Sequence, residues 1–147
     1  SHMAVNVAAP AILTAEFAKN IRHENQGCVI NMLDSKLFGL NPDYFTYTLS
    51  KAALQNFGIL AAQAYAPKLR VNAIAPGITL PSGGQTQEEF EKSHQRNLLR
   101  KGAETEDIVA AARLILSTSS MTGETIILDG GAHLRPLPRD VAFMKDN

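Results

Sequence analysis

The sequence places a phenol and an amine four residues apart, at Tyr47 and Lys51. If this segment is helical, both side chains lie on one face of the helix, because residues i and i+4 are neighbours there. A phenol has an ordinary pKa of about 10, and a nearby positive charge favours the phenolate. Of the three tyrosines, only Tyr47 is followed by a lysine at this spacing. The pair therefore predicts a group that can donate and accept a proton.

A carboxylate, Asp34, lies thirteen residues before Tyr47, where a short apolar run ends. An ionised carboxylate only accepts hydrogen bonds. It would repel a ketone oxygen and would hold a substrate that presents N–H groups. A simpler interpretation remains open, in which Asp34 caps the end of a strand.

The other reactive side chains form no recognisable site. No group of His, Cys, Asp and Glu residues has the spacing of a metal site, so we expect no metal. His94 and His133 are isolated from each other in the sequence, and a lone histidine is usually a surface or packing residue. Cys28 reads as a small buried hydrophobe at the start of a strand.

The composition excludes several classes of protein. Fourteen basic and fourteen acidic residues cancel in a chain of 147 residues, so nothing indicates nucleic acid or a membrane surface as a partner. No apolar run approaches the roughly 20 residues that a bilayer span needs. A single cysteine excludes an internal disulfide and favours a reducing compartment, hence a cytoplasmic location. Residues 1–3 look like the scar of a cleaved tag but could equally be native.

Alternating apolar and amphipathic segments predict the elements that position these residues. Strands are predicted over residues 28–33, 69–75 and 124–128. Four helices are predicted. The first covers residues 4–22, and the third covers residues 86–96. The second has Asn41 as its cap and Pro42 as its first helical residue and runs to about residue 65, and the fourth has Thr105 as its cap and runs to about residue 117. Strands that alternate with helices and are apolar on both faces predict an α/β fold with a parallel sheet. Only three strands are visible, and none precedes the first helix, so the pattern looks like the second half of a doubly wound fold.

Pro10 interrupts the first predicted helix. Proline lacks an N–H and clashes with the carbonyl four residues back, which belongs to Asn6. Two interpretations stay open: the Asn6 carbonyl is left free to bind water, or the proline causes only a kink in which that carbonyl is capped.

Five stretches together resemble the short-chain dehydrogenase/reductase family, and in this order and spacing they are highly specific. They are Asn6 on the first helix, the strand that ends at Asp34, and residues 47–54, 70–77 and 122–131. The resemblance implies a Rossmann-like doubly wound parallel sheet. The family's Gly-rich dinucleotide element and its Asn-Asn-Ala-Gly stretch are missing, so we expect an incomplete fold. On this interpretation, residues 1–147 form a single partial domain that corresponds to the C-terminal half to two-thirds of a reductase.

The resemblance also implies roles for individual residues. Tyr47 would be the general acid and base, and Lys51 would lower the pKa of the phenol and bind the nicotinamide ribose. The main-chain carbonyl of Asn6 would hold a water in a proton relay. Asp34 stands where most members of the family have serine. An aspartate at this spacing resembles the pteridine and dihydromonapterin/dihydrofolate reductases of the family. Alternatively, Ser35 performs the serine's role after a slip of one residue.

The remaining implications concern the cofactor, the substrate and the partners. Pro76, Gly77, Ile78 and Thr79 would line the nicotinamide pocket, residues 78–104 would form a substrate lid, and residues 132–147 a C-terminal tail. We expect an oxidoreductase that uses NADP(H), with NAD(H) not excluded, acts on a small pterin or dihydrofolate-like molecule, and forms a homodimer or homotetramer. Two alternatives are an inactive fragment that only associates and a reductase of simple ketones or alcohols.

Overall fold

A computed structural model of the protein describes residues 1–22, 24–81 and 84–144. Within these ranges, helices and strands alternate along the chain. The regular elements are α1 (Ala9–Asn20), β1 (Gly27–Met32), α2 (Phe45–Tyr65), β2 (Leu69–Pro76), α3 (Gln87–His94), α4 (Thr105–Ser117) and β3 (Thr125–Leu128). A π-helix over Ala4–Ala8 precedes α1, and 3₁₀ turns lie at Ser35–Phe38, Ala132–Leu134 and Val141–Phe143.

The three strands form one parallel sheet in the order β1-β2-β3. Gly27–Met32 pairs with residues 69–74, and the last four residues of β2 pair with Thr125–Leu128. This topology confirms the predicted α/β fold with a parallel sheet. Because all strands run in one direction, their carboxyl ends meet at a single edge of the sheet.

Helices cover both faces of β2, the central strand. Its residues alternate between the faces, as the period of a strand requires: Leu69 and Val71 pack with α1 and α2, whereas Ile74 packs with Ala111 and Ile115 of α4. Helices on both faces of a parallel sheet are the doubly wound arrangement that the sequence predicts.

The first helix differs from the prediction over residues 4–22. The chain forms a π-helix before α1, closed by the Ala9 N–H, which donates to the Ala4 carbonyl, and α1 ends at Asn20. Pro10 explains the wider turn, because its ring cannot take part in a regular i→i−4 ladder. The buried residues of α1 are Thr14 and Ala18, whereas Leu13 is 69% exposed.

Two helix starts were predicted in the wrong place. Helix α2 begins at Phe45, not next to Asn41, because the Asn41 side chain accepts a hydrogen bond from the Asp43 N–H at 3.2 Å and forms a local turn instead. Helix α4 is capped by Glu104 rather than Thr105, and the Glu104 N–H donates to Asp107 Oδ2 at 3.0 Å.

Candidate functional site

Helix α2 brings Tyr47 and Lys51 together at the carboxyl end of β1. The Lys51 ammonium lies 5.7 Å from the centroid of the Tyr47 ring. Its Nζ donates a hydrogen bond of 2.7 Å to the carbonyl of Met32, the last residue of β1. The pair therefore occupies one helix face at the sheet edge, as its spacing predicts.

Asp34 completes this cluster. The Tyr47 hydroxyl donates to Asp34 Oδ2 at 2.9 Å, and Asp34 Oδ1 accepts from the Lys36 N–H at 2.8 Å, which caps the 3₁₀ turn that follows. The cap and the contact with Tyr47 are thus compatible, each using one carboxylate oxygen. The hydroxyl contacts Asp34 and not Ser35, whose side chain is buried beside residue 77.

Burial and Asp34 control the protonation of the phenol. Burial raises the pKa of Tyr47, and the charge of Asp34 and its hydrogen bond raise it further. Burial lowers the pKa of Lys51, with Asp34 acting in the opposite direction. The pKa of the phenol therefore lies above its ordinary value, whereas a neighbouring Lys51 on its own predicts a lower one. The reason is geometric, since the phenol donates to a carboxylate while the ammonium donates to a carbonyl.

The Asn6 side chain joins the π-helix to α2 through a serine that sequence reasoning missed. Asn6 Nδ2 donates to Ser50 Oγ at 2.9 Å, and Ser50 Oγ donates to the Tyr47 carbonyl at 2.7 Å. Ser50 is completely buried. The signal available in the sequence was a serine in the interior of the predicted helix, between Tyr47 and Lys51. A serine that is buried there needs a nearby hydrogen-bond partner.

The segment from Pro76, the last residue of β2, to Thr79 lies at the same sheet edge. The Gly77 N–H donates to the Leu128 carbonyl at 2.7 Å, and Thr79 Oγ1 donates to the Gly77 carbonyl at 3.0 Å. A Cβ atom on Gly77 would lie 2.9 Å from the Cβ of Asp129, so only glycine allows this close approach. Ile78 lies between Gly77 and Thr79, so the backbone of this segment is held at the sheet edge.

A buried acid organises the turn after β3. The Asp129 carboxylate accepts from the backbone N–H groups of Gly131 and His133, at 2.9 and 2.8 Å, and lies 2.9 Å from Nδ1 of the His133 ring. His133 is therefore the partner of a buried carboxylate and not an isolated residue. The Asp-Gly-Gly sequence was the signal, since glycines at 130 and 131 adopt positive φ angles of 63° and 81° that other residues rarely adopt.

The second half of residues 78–104 is anchored to this turn. The Leu99 N–H donates to the Gly130 carbonyl at 3.0 Å, and Asn97 Oδ1 accepts from the Lys101 N–H at 3.1 Å. His94, at the end of α3, lies 3.3 Å through its Nε2 from the Ala103 carbonyl. Residues 82 and 83 of the expected lid lie outside the described residues.

Two kinds of feature are not found among the described residues 1–22, 24–81 and 84–144, namely a metal site and a membrane-spanning helix. No group of three or more His, Cys, Asp or Glu residues there could hold a metal ion. Among the described helices, none has the length and apolarity that crossing a bilayer requires.

Comparisons with known proteins show which family the chain resembles. The family profile described as enoyl-(acyl carrier protein) reductase matches residues 1–133. Dihydromonapterin reductase from Citrobacter koseri is 26% identical over 135 residues, which cover 90% of this chain and 56% of that protein. Human dehydrogenase/reductase SDR family member 4 is 30% identical over 138 residues, which cover 89% of this chain and 50% of that protein.

Solved structures give a second comparison. FolM alternative dihydrofolate reductase 1 from Brucella suis, in complex with NADP, is 43% identical with a TM-score of 0.87, over 90% of this chain and 54% of that one. The Brucella canis protein of the same name, also complexed with NADP, is 41% identical with a TM-score of 0.84, over 90% of this chain and 52% of that one. The chain spans about half the length of the relatives it matches. With the profile match, the parallel sheet and the Tyr47–Lys51 pair, the chain belongs to the short-chain dehydrogenase/reductase family.

Proposed function

We propose that the protein containing this chain is an NADP(H)-dependent reductase of pterin or dihydrofolate-like substrates. The observation that carries the proposal is the hydrogen bond from the Tyr47 hydroxyl to Asp34, with Lys51 alongside. The similarity to dihydromonapterin reductase and to the FolM dihydrofolate reductases supports this substrate class.

In this proposal Tyr47 is the proton donor. Its raised pKa keeps the phenol protonated at neutral pH, and general acid catalysis of this kind typically contributes about 10²–10⁴-fold to the rate. Asp34 accepts an N–H of the substrate, which a heterocycle such as a pterin offers and a simple ketone does not. The carbonyl of Asn6 would hold a water in the proton relay, because the chain around Pro10 departs from a regular helix there.

The residues at the sheet edge fit the nicotinamide and ribose end of a dinucleotide. The Gly77 backbone is held at this edge by its hydrogen bond to the Leu128 carbonyl, and Lys51 presents an ammonium group beside Tyr47. We assign Pro76, Gly77, Ile78 and Thr79 to the nicotinamide and Lys51 to the ribose. When bound, the nicotinamide supplies the hydride. NADP in the Brucella structures favours NADP(H) over NAD(H).

Two further parts of the proposal concern access to the site and location. Residues 78–104 would act as a lid that closes over the substrate. A cytoplasmic location is supported by the single, unpaired Cys28.

Replacing Tyr47 by phenylalanine tests the catalytic role. We expect Tyr47→Phe to abolish turnover of a dihydropterin with NADPH in the full-length protein and to leave the circular dichroism spectrum unchanged. Tyr65→Phe, in the same helix, is the matched control and should retain turnover. Near-normal turnover in Tyr47→Phe would remove the assignment.

The role of Asp34 is tested by substrate choice. The unaltered protein should reduce dihydropterins in preference to simple ketones, and Asp34→Asn should lose that preference because an amide can donate to a ketone oxygen. A clear preference of the unaltered protein for ketones would contradict the argument and favour the alternative reductase of ketones or alcohols.

A second candidate function is self-association, alone or together with catalysis. Three large apolar side chains of α2 are strongly exposed: Phe45 is 66%, Leu49 53% and Leu60 62% exposed. We propose that α1 and α2 form a homodimer or homotetramer interface. Sedimentation should show a larger species for the unaltered chain than for Leu49→Glu, and a monomer in both would exclude the interface.

Cofactor titration separates a reductase from a fragment that only associates. We expect this chain alone to bind NADPH weakly or not at all, because it carries no Gly-rich element for the pyrophosphate. Tight binding, followed by NADPH fluorescence, would contradict that expectation.

A further inference from the structure

The C-terminal segment 139–143 folds onto the loop that connects Asp34 with α2. Arg139 Nε lies 3.0 and 2.8 Å from the two carboxylate oxygens of Asp43, and the Asp140 N–H donates to Asp43 Oδ2 at 2.7 Å. These contacts hold the pKa of Asp43 below its ordinary value. The aromatic ring of Phe143 adds a contact with Tyr44, at 5.4 Å between centroids. The segment is therefore fastened to the loop that leads directly into the helix of Tyr47.

A second set of contacts fastens the same segment to the 3₁₀ turn after Asp34. Lys36 Nζ donates to the Asp43 carbonyl at 2.7 Å and lies 3.3 Å from Asp140 Oδ2. The side chains of Lys36 and Asp140 are 10% and 24% exposed. A pair this well shielded is screened less by solvent than an ordinary surface ion pair. Lys36 is thus held by both the loop and the C-terminal segment.

Lys36 in turn fixes the carboxylate that contacts Tyr47. Its backbone N–H donates to Asp34 Oδ1, and Asp34 Oδ2 accepts from the Tyr47 hydroxyl. A continuous chain of contacts therefore runs from Asp140 through Lys36 and Asp34 to the phenol. Asp140 itself touches neither Asp34 nor Tyr47 in any described contact, so its carboxylate can act on them only through Lys36.

We propose that residues 139–143 are a clamp that orients the Asp34–Tyr47 pair, with Asp140 as the positioning residue. This inference rests on the proposed function, in which Asp34 and Tyr47 meet the substrate. Its physical basis is that catalytic groups must be held within a fraction of an ångström, and a displacement of about 1 Å can cost about 10²-fold in rate.

The substitution Asp140→Ser tests the clamp while it preserves the local fold of the segment. Asp140 Oδ1 caps the last 3₁₀ turn by accepting from the Ala142 N–H at 3.1 Å. In Asp140→Ser the hydroxyl can keep this cap, but it is too short to reach Lys36. The matched control is Glu16→Gln, which removes an exposed ion pair of 2.6 Å with Lys19 on α1, remote from the loop.

The first readout is amide hydrogen exchange at Lys36, measured by ¹⁵N NMR on the chain, because this N–H donates to Asp34. We expect exchange at least about tenfold faster in Asp140→Ser and unchanged in Glu16→Gln. Unchanged exchange in Asp140→Ser overturns the proposal, whatever the turnover shows.

The second readout is steady-state kinetics of the full-length protein. In Asp140→Ser we expect kcat to fall about tenfold with the KM for the cofactor nearly constant, since the clamp orients the proton donor. Asp140→Asn retains the reach of the side chain and should recover part of kcat. If Tyr47→Phe loses turnover but Asp140→Ser has an unchanged kcat, the clamp is overturned and the proposed function stands. If Tyr47→Phe also retains turnover, the proposed function fails, and that result is independent of the exchange at Lys36.

Discussion

Tyr47 illustrates how burial decides the chemistry of a single side chain. From the sequence, the nearby Lys51 predicts a phenol that ionises easily. In the structure the hydroxyl is half-buried and donates to Asp34, and both effects favour the protonated form. The carboxylate thus opposes the lysine and favours the protonated phenol, which in the proposed function is the proton donor.

The alkaline stability of the protein should report this protonation. The pKa of Tyr47 is higher in the folded chain than the value of about 10 expected when unfolded. The folded state therefore holds the phenolic proton more tightly, and this stabilisation is complete below about pH 10 and is lost as the pH rises through the folded pKa. We expect the free energy of unfolding to fall more steeply above about pH 10 in the unaltered chain than in Tyr47→Phe.

Urea unfolding at several alkaline pH values checks this difference. The pKa of Lys51 is lowered in the folded state, which gives the opposite pH dependence, but that contribution is largely common to both proteins. Parallel curves for the two proteins would show that the phenol has an ordinary pKa.

At the scale of elements, the π-helix and α2 are joined by one buried polar contact. Ser50 is completely buried, and its hydroxyl accepts from Asn6 while donating to the Tyr47 carbonyl. Replacing Ser50 removes the acceptor of the Asn6 amide in a partly buried position. The orientation of the segment that carries Asn6 therefore depends on Ser50.

We expect Ser50→Ala to lower the free energy of unfolding by about 1–3 kcal/mol, the usual cost of an unsatisfied buried polar group. Ser117→Ala is the matched control, because Ser117 Oγ makes a similar hydrogen bond to the carbonyl three residues back, at 3.2 Å, but is exposed. Urea unfolding of both variants provides the measurement. An equal, small effect in the two would mean that the Asn6–Ser50 contact contributes nothing.

The sequence predicted the elements better than their ends. Each apolar run became a strand, because burial on both faces leaves a strong signal. The start of α2 was misplaced, since the turn at Asn41 depends on a side chain bonding to its own backbone. Pro10 predicted that the helix would be irregular near Asn6, but it did not predict that the irregular part is a π-helix.

The sequence predicted the site only in part. The Tyr47–Lys51 pair follows from helix geometry, and both residues lie where that geometry places them. The contacts of the C-terminal segment could not be predicted, because Arg139 and Asp43 are separated by 96 positions in the chain. The direction of the Tyr47 pKa shift also depended on such tertiary neighbours.

At the scale of the whole molecule, Arg70 ties the central strand to the chain segment that crosses from α4 to β3. Arg70 is 7% exposed, and its Nη1 donates to the carbonyls of Ile115 and Met121 at 3.0 and 2.9 Å. Asn72 repeats the pattern two residues later, since its Nδ2 donates to Met121 at 2.8 Å. The Arg-Val-Asn stretch thus holds α4 against the sheet.

Removing the Arg70 guanidinium should therefore loosen the packing of α4 on the whole sheet. We expect Arg70→Met to lower the free energy of unfolding by about 3 kcal/mol or more, because methionine keeps the apolar stem but leaves the carbonyls of Ile115 and Leu116 without this donor. Arg113→Met, on the exposed side of α4, should change the stability by less than about 0.5 kcal/mol. Urea unfolding measures both variants, and hydrogen exchange along α4 should accelerate only in Arg70→Met. If the two substitutions have equal effects, apolar packing alone holds α4 in place, and the polar contacts of β2 are dispensable.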